Sequence, residues 1–147
     1  MTAVSKTLFN GITFLVVDDE PDNVGVVVRL LTFLGAEVIA AENGRQGLET
    51  ARQKKPTVIL ADLSMPSMSG WEMLYQAKQD PVLKEIPMIA LTAHAMAGDR
   101  TRVLEAGFVD YIAKPIDVPK FVPQLVDMLK DIPQTASLFA EQRIEVP

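Results

Sequence analysis

Residues 15–23, LVVDDEPDN, hold the junction that decides the fold, because an apolar run ends there in adjacent acids. Two carboxylates about 4 Å apart repel each other by roughly 1 kcal/mol in water and about 4 kcal/mol at an effective dielectric of 20. Two explanations fit such charge at the end of a hydrophobic strand: a solvated turn, or a set of ligands for a cation. Only the cation site requires further ligands elsewhere in the chain, so the rest of the sequence can distinguish the two explanations.

Apolar runs of strand length recur along the chain, and most are continuous rather than alternating. The predicted strands are Thr13–Val17, Glu37–Ala40, Thr57–Ala61, Met88–Leu91 and Val109–Ile112. Continuous runs are typical of parallel strands buried on both faces. The predicted helices between and after them are Asn23–Leu34, Gly44–Lys54, Trp71–Asp80, Gly98–Ala106 and Val118–Lys130. This alternation predicts an α/β fold with a doubly wound, five-stranded parallel sheet.

The predicted elements occupy one domain, residues 12–130, of a chain whose 147 residues suit a single sizeable core. Residues 1–11 are predicted to be an N-terminal tail. Residues 131–147, with a break at Pro133, are too few for a second domain. A docking tail, a short extra helix over Ser137–Ile144 and part of a linker all stay open for them.

Composition excludes several functions. The net charge of −5 and the lack of a basic patch argue against binding to nucleic acid or anionic lipid. The absence of cysteine excludes disulfides, cysteine nucleophiles and cysteine-ligated zinc. No apolar window is long enough to span a membrane, no secretory pattern appears, and no phosphate-binding glycine motif is present. We therefore expect a cytoplasmic protein.

Polar residues follow four of the five predicted strands: Asp18–Asp19, Asp62, Thr92 and Lys114. Ligands of open α/β sheets bind beyond the carboxyl ends of the strands, so these side chains are expected to meet at one edge. Each alone has an ordinary explanation, but together they favour a site. The three acids exceed the lysine by two negative charges, which one divalent cation neutralises.

A site with few protein ligands, all of them oxygen atoms, favours Mg²⁺, because this ion keeps several water ligands and also binds the phosphate of a substrate. A hydroxyl and an ammonium beside the metal suit the oxygens of a transferred phosphoryl group. Asp62 is the candidate nucleophile, because carboxylates form aspartyl-phosphates.

The motifs occur in a characteristic order: Asp18-Asp19, Asp62-Leu63-Ser64-Met65-Pro66-Ser67-Met68-Ser69-Gly70, Leu91-Thr92-Ala93, Tyr111 and Lys114-Pro115. The steps are 43 residues from Asp19 to Asp62, 30 to Thr92 and 22 more to Lys114. With this spacing the chain resembles the response-regulator receiver domain of two-component signalling over roughly residues 11 to 130. The resemblance implies a flavodoxin-like receiver fold with strand order 2-1-3-4-5 and five helices.

The resemblance assigns the acids. It implies that Asp62 accepts a phosphoryl group from the phosphohistidine of a histidine kinase or a histidine phosphotransfer protein. The metal, Mg²⁺ or else Mn²⁺, is then bound by Asp19, Asp62 and the backbone carbonyl of Ser64, while Asp18 holds metal-bound water. Such a protein is a signalling phosphoacceptor rather than an enzyme, and it promotes its own phosphotransfer and dephosphorylation.

The resemblance also assigns the phosphate-binding and switch residues. Lys114 pairs with a phosphate oxygen, and its bond to Pro115 is expected to be cis. Thr92 hydrogen-bonds the phosphoryl group, and the small Ala93 leaves room for its oxygen. Tyr111 is expected to turn inward when Thr92 moves, the alternative being an ordinary half-buried strand aromatic.

Two further features are similar to the family in position. Ser64 and His94, the single histidine, lie where the family tunes the attack of water on the phosphoaspartate. For His94 the alternative is an exposed loop residue.

The first helix carries a second apolar stripe, formed by Val26, Leu30 and Phe33. Together with Pro115, this stripe is a hypothetical docking surface for the phosphohistidine bundle. The alternative is packing under the fifth helix or the C-terminal tail.

The output surface implied by the resemblance is the face formed by the fourth helix, fifth strand and fifth helix. Its partner is an unknown downstream protein, and we expect a monomer or a phosphorylation-dependent dimer. Two rival functions fit the sequence less well. A phosphorylation-independent interaction module would normally lack an acid or the lysine, and a Mg²⁺-dependent phosphohydrolase would need an Asp-x-Asp motif on its first strand and a cap domain.

Overall fold

A computed structural model describes residues 6–93 and 99–144, with side chains to residue 138. Its strands are β1 (Thr13–Val17), β2 (Glu37–Ala41), β3 (Val58–Asp62), β4 (Met88–Thr92) and β5 (Tyr111–Ala113). Its helices are α1 (Pro21–Phe33), α2 (Gly44–Lys54), α3 (Gly70–Lys78), α4 (Asp99–Ala106), α5 (Val118–Lys130) and α6 (Pro133–Ile144). All strand pairs are parallel in the order β2-β1-β3-β4-β5, so the predicted sheet is confirmed.

The sheet separates two apolar cores. Alternate residues of β1 show the division: Phe14 and Val16 face the core shared with α1 and α5, whereas Leu15 and Val17 face the core shared with α2, α3 and α4. Strands buried on both faces need apolar residues at every position, which explains the continuous runs in the sequence. Of the four buried polar or charged residues in the described part of the chain, Asp18, Asp62 and Thr92 lie at strand ends and Thr135 lies on α6.

Element ends differ from the predicted ones by small, local causes. Helix α1 begins at Pro21, two residues earlier than predicted, because the fixed φ of proline suits the first helical position. Strand β5 begins at Tyr111 rather than Val109, and the Tyr111 N–H donates to the Asp110 carboxylate at 2.8 Å. The predicted start of the fourth helix, Gly98, lies outside the described residues.

The segment before β1 packs into the core through Phe9. This side chain is fully buried, its ring meets Phe14 edge-on with centroids 5.6 Å apart, and its N–H donates to the Leu34 carbonyl at 2.8 Å. The division of the chain at residue 12 stays a prediction. The structure adds that residue 9 shares the core with α1 and α5.

Residues 131–147 contain a sixth helix, α6, where the sequence predicted five helices and left a short extra helix as one option. It starts four residues before the predicted Ser137, at Pro133. The buried Thr135 hydroxyl donates to the Leu129 carbonyl at 2.6 Å, and the Gln134 amide donates to the Glu85 carbonyl at 2.7 Å. These contacts seat α6 on the end of α5, at the amino edge of the sheet.

Candidate functional site

Three strand ends bring the predicted polar residues together at the carboxyl edge of the sheet. Asp18 directly follows β1, Asp62 is the last residue of β3, and Lys114 directly follows β5. The Lys114 N–H donates to the Thr92 carbonyl at 2.8 Å, which joins the ends of β4 and β5. The Lys114–Pro115 bond is cis.

The ammonium of Lys114 is surrounded by carboxylates. Its Nζ lies 2.7 Å from Glu20 Oε1, 3.0 Å from Asp62 Oδ2 and 3.3 Å from Asp18 Oδ2, and only 6% of the side chain is exposed. Burial acts to lower the pKa of Lys114, but the hydrogen bonds to Glu20 and Asp62 and the negative charges outweigh it and raise the pKa above its usual value. Lys114 is therefore a permanent positive charge in the site.

The acids form one cluster, comprising Asp18, Asp19, Glu20 and Asp62, with ligand oxygens all within 4.8 Å of one another. Asp18 and Asp62 are buried, whereas Asp19 and Glu20 are exposed, so the cluster opens to solvent on one side. Backbone donors hold one oxygen of each buried acid: the Glu20 N–H donates to Asp18 Oδ1 at 2.9 Å, and the Ser64 N–H to Asp62 Oδ1 at 3.0 Å.

The second oxygen of Asp18 lacks a partner that satisfies it. Oδ2 is buried and accepts no hydrogen bond within the described part of the chain, although the Lys114 ammonium lies 3.3 Å away. Burial raises the pKa of Asp18 to about 6; the Glu20 N–H opposes this shift and the charge of Asp62 adds to it. A buried, under-coordinated carboxylate oxygen among hard oxygen donors fits a divalent cation such as Mg²⁺.

The remaining predicted site residues that the structure describes lie on β4, on β5 and on the loops that follow β3 and β4. Thr92 is buried at the end of β4, and the exposed Ala93 follows it. Tyr111 opens β5, is half-buried and packs against the core shared with α2, α3 and α4. Ser64 is exposed directly beyond Asp62 on the loop after β3. His94 lies outside the described residues.

Tyr111 also lines a cavity of about 570 Å³ on the surface formed by α4, β5 and α5. Arg100 and Asp110 border it, and Arg100 donates from Nε and Nη2 to the two carboxylate oxygens of Asp110, each at 3.2 Å. Gln124 and Met128 of α5 form the opposite wall. A change in the position of Tyr111 would therefore alter the shape of this surface.

The second stripe of α1 divides into buried and exposed parts. Val26 is half-buried, and Leu30 packs against the core shared with α1 and α5. Phe33 is 60% exposed, with the Lys6 ammonium 5.6 Å from its ring centroid. At 1.5 Å per residue, Phe33 is about 18 Å along the helix from Pro21, far from the acids. Pro115 is exposed beside the site.

Glu20 is the site residue that sequence reasoning missed, since it was assigned to the loop before α1. It is the N-cap of α1 but makes no capping hydrogen bond, because its carboxylate is directed to Lys114. In the sequence, only the run of three adjacent acids could have suggested that Glu20 takes part in the site.

Comparison with known proteins identifies the class. The family model of the response regulator receiver domain matches residues 14–126, so the chain belongs to this family of two-component signalling domains. The polar-differentiation response regulator DivK of Brucella anthropi is 38% identical over 117 residues, which are 80% of this chain and 95% of that protein.

Solved structures agree with the fold. The chemotaxis response regulator CheY4 of Vibrio cholerae superposes with a TM-score of 0.75 at 26% identity, covering 80% of this chain and 98% of that one. The receiver domain of the sensor histidine kinase PA1611 from Pseudomonas aeruginosa has a TM-score of 0.69 at 33% identity, covering 78% and 94%, and holds a magnesium ion coordinated in its active-site cleft. No described helix of the present chain is long and apolar enough to cross a membrane.

Proposed function

We propose that this chain is a phosphoacceptor response regulator in which Asp62 receives a phosphoryl group from a phosphohistidine in the presence of Mg²⁺. The observation that carries the proposal is the position of Asp62, a buried carboxylate with Oδ1 held by the Ser64 N–H and Oδ2 held 3.0 Å from the Lys114 ammonium. A carboxylate fixed in this way is oriented for attack on phosphorus, and the permanently charged Lys114 ammonium lies beside it.

The proposed transfer is a displacement at phosphorus. A carboxylate oxygen of Asp62 forms the new P–O bond while the P–N bond to the donor imidazole breaks, and the released nitrogen takes up a proton. Lys114 pairs with one phosphoryl oxygen, and the Thr92 hydroxyl donates a hydrogen bond to another. The small Ala93 leaves space for this second oxygen. Loss of the phosphoryl group to water, tuned by Ser64 and His94, would reset the protein.

The metal ligands in this proposal are Asp19, Asp62 and the carbonyl of Ser64, with Asp18 acting through bound water. The fit rests on the cluster of ligand oxygens within 4.8 Å and on the under-coordinated Oδ2 of Asp18. A bound Mg²⁺ supplies positive charge that offsets the repulsion among the acids and the phosphoryl oxygens. Mn²⁺ has the same preference for oxygen ligands and is expected to substitute.

The proposed output is a change in the surface formed by α4, β5 and α5, transmitted through Thr92 and Tyr111. The cavity beside Tyr111 supports this, because a shift of the ring changes what a partner protein meets. The partners are a histidine kinase or histidine phosphotransfer protein upstream and an unidentified protein downstream, in the cytoplasm. The protein is a monomer that phosphorylation can convert to a dimer through the same surface.

Phosphodonor docking is proposed along α1 and beside the acids, with Val26, Leu30 and Phe33 on the helix and Pro115 next to the site as candidates. Since Leu30 packs against the core, its substitution would damage the fold, and Phe33 is the cleaner probe. Phe33→Ala should slow phosphotransfer from a phosphohistidine bundle, and Tyr75→Ala, at an equally exposed aromatic of α3, is the matched control. If phosphotransfer to Phe33→Ala is as fast as to Tyr75→Ala, Phe33 is not part of the docking surface.

The central experiment is phosphorylation with a small phosphodonor and Mg²⁺, read by intact-protein mass. The wild type should gain one phosphoryl group, and the gain should be lost with EDTA and in Asp62→Asn. Thr92→Ala should still be labelled but should fail to shift the amide signals of β5. A wild-type protein that gains no mass, or labelling that persists in Asp62→Asn, would refute the proposed function.

A further inference from the structure

The ammonium of Lys114 faces three carboxylates. Two of its three N–H donors make hydrogen bonds, to Glu20 Oε1 at 2.7 Å and to Asp62 Oδ2 at 3.0 Å, while Asp18 Oδ2 lies 3.3 Å from Nζ without a hydrogen bond. A phosphoryl oxygen that arrives at Asp62 therefore competes with these carboxylates for Lys114. The phosphoacceptor function proposed above leaves open which acid yields.

Burial and anchoring separate the three acids. Asp18 and Asp62 are buried at the ends of β1 and β3, and each is fixed through Oδ1 by a backbone N–H. The Glu20 side chain is 59% exposed, and among the described residues its one hydrogen bond besides that from Lys114 comes from the Asn23 side-chain amide at 3.1 Å. Glu20 is the one that can swing into water without leaving a buried charge unpaired.

The shortest of the three contacts is nevertheless the one to Glu20, at 2.7 Å. As the N-cap of α1, Glu20 could instead accept from the first-turn N–H groups of its own helix, yet it makes no such bond. Its carboxylate thus takes the place on Lys114 that faces solvent, from which a phosphodonor approaches.

We propose that Glu20 is an internal competitor of the phosphoryl group: it occupies Lys114 in the unphosphorylated protein and is expelled when an anion binds at Asp62. The inference rests on the proposed function, since the anion is the phosphoryl group on Asp62. Glu20 acts through Lys114 and is therefore a positioning residue that sets the threshold for activation.

The test compares anion binding by four proteins with beryllofluoride as the probe, titrated in excess Mg²⁺ and followed by amide NMR signals. Glu20→Gln removes the competing charge at nearly constant shape, whereas Asp22→Asn makes the same change of net charge at an exposed acid outside the cluster. Glu20→Asp keeps the charge on a side chain one methylene shorter.

Glu20→Gln should bind beryllofluoride about two- to fivefold more tightly than the wild type, the range expected for loss of one partly exposed ion pair. Asp22→Asn should match the wild type, and Glu20→Asp should lie between them. Mg²⁺ affinity is measured without beryllofluoride for each protein, so that beryllofluoride binding is compared at saturating Mg²⁺. Unchanged or weaker beryllofluoride binding in Glu20→Gln under that condition would overturn the inference.

A second readout separates this inference from the function on which it rests. Proton exchange of the Lys114 ammonium, measured by nitrogen NMR in metal-free protein, should be several-fold faster in Glu20→Gln than in the wild type or Asp22→Asn. If exchange accelerates but no protein binds beryllofluoride, the proposed function has failed and the ion pair stands. If the wild type binds beryllofluoride, but Glu20→Gln changes neither the proton exchange rate of Lys114 nor the beryllofluoride affinity, the competitor role alone has failed.

Discussion

Replacing Asp18 with asparagine should stabilise the metal-free protein. Burial raises the pKa of this carboxyl from 3.8 to about 6. That shift corresponds to a penalty of roughly 3 kcal/mol on the charged form of Asp18. Because water at the open side of the site reduces this penalty, Asp18→Asn should raise the free energy of unfolding by about 1–3 kcal/mol at pH 7.5. Asparagine removes the charge and keeps an oxygen for the Glu20 N–H, which now donates to Asp18 Oδ1 at 2.9 Å.

The pH dependence has a definite sign. Because the folded-state pKa lies above the unfolded value, folded protein takes up this proton first as the pH falls, and the penalty disappears between about 6 and 3.8. The advantage of Asp18→Asn should therefore be full above pH 7, fall to roughly half by pH 5 and nearly vanish by pH 4. Magnesium should act in the opposite direction, stabilising the wild type by about 2.7 kcal/mol at 100 times its dissociation constant and the variant by much less.

Urea unfolding in EDTA, followed by the fluorescence of Trp71, the single tryptophan, measures both effects. Asp22→Asn is the control for the change in net charge and should shift the midpoint little at any pH. A destabilised Asp18→Asn at pH 7.5, or a gain that is the same at pH 4.5 as at pH 7.5, would refute the argument from burial.

Four further substitutions test the packing. Gly25→Ala should stabilise by about 0.5–1 kcal/mol in urea unfolding, because the added methyl meets only a flexible side chain in mid-helix. Gly70→Ala should instead destabilise the fold and weaken Mg²⁺ binding in a calorimetric titration, because its Cβ would lie within 3 Å of the backbone of Asp62. Phe9→Ala should cost about 3–5 kcal/mol in the same unfolding assay, as for other buried phenylalanines. Thr135→Val should cost about 1 kcal/mol and speed amide exchange at the end of α5, since the buried hydroxyl bond is lost.

The architecture and the centre of the site were predictable because they depend on local patterns and one topological rule. Each strand is marked by its own apolar run, and parallel strands must present their carboxyl ends at one edge. Asp18, Asp62 and Lys114 follow such runs directly, so the edge on which they meet was determined before their distances were known.

Glu20 and Phe9 could not be assigned in this way. The carboxylate of Glu20 reaches Lys114, 94 residues away, by a choice of side-chain torsion that no local pattern encodes. Phe9 stands alone outside any periodic segment, and its burial comes with tertiary contacts to Phe14 and to the Leu34 carbonyl that follows α1. Helix α6 was left open for a similar reason, because its anchorage to Glu85 and Leu129 is tertiary.

The seating of α6 and of the segment around Phe9 has a practical consequence for measurement. Residues 6–11 precede β1 and Pro133 follows α5, so both segments lie at the sheet edge opposite the acids. A biotin or fluorophore joined through either segment would leave the approach to Asp62 clear. Immobilised protein should accordingly report phosphodonor binding at full amplitude in either orientation on a sensor surface.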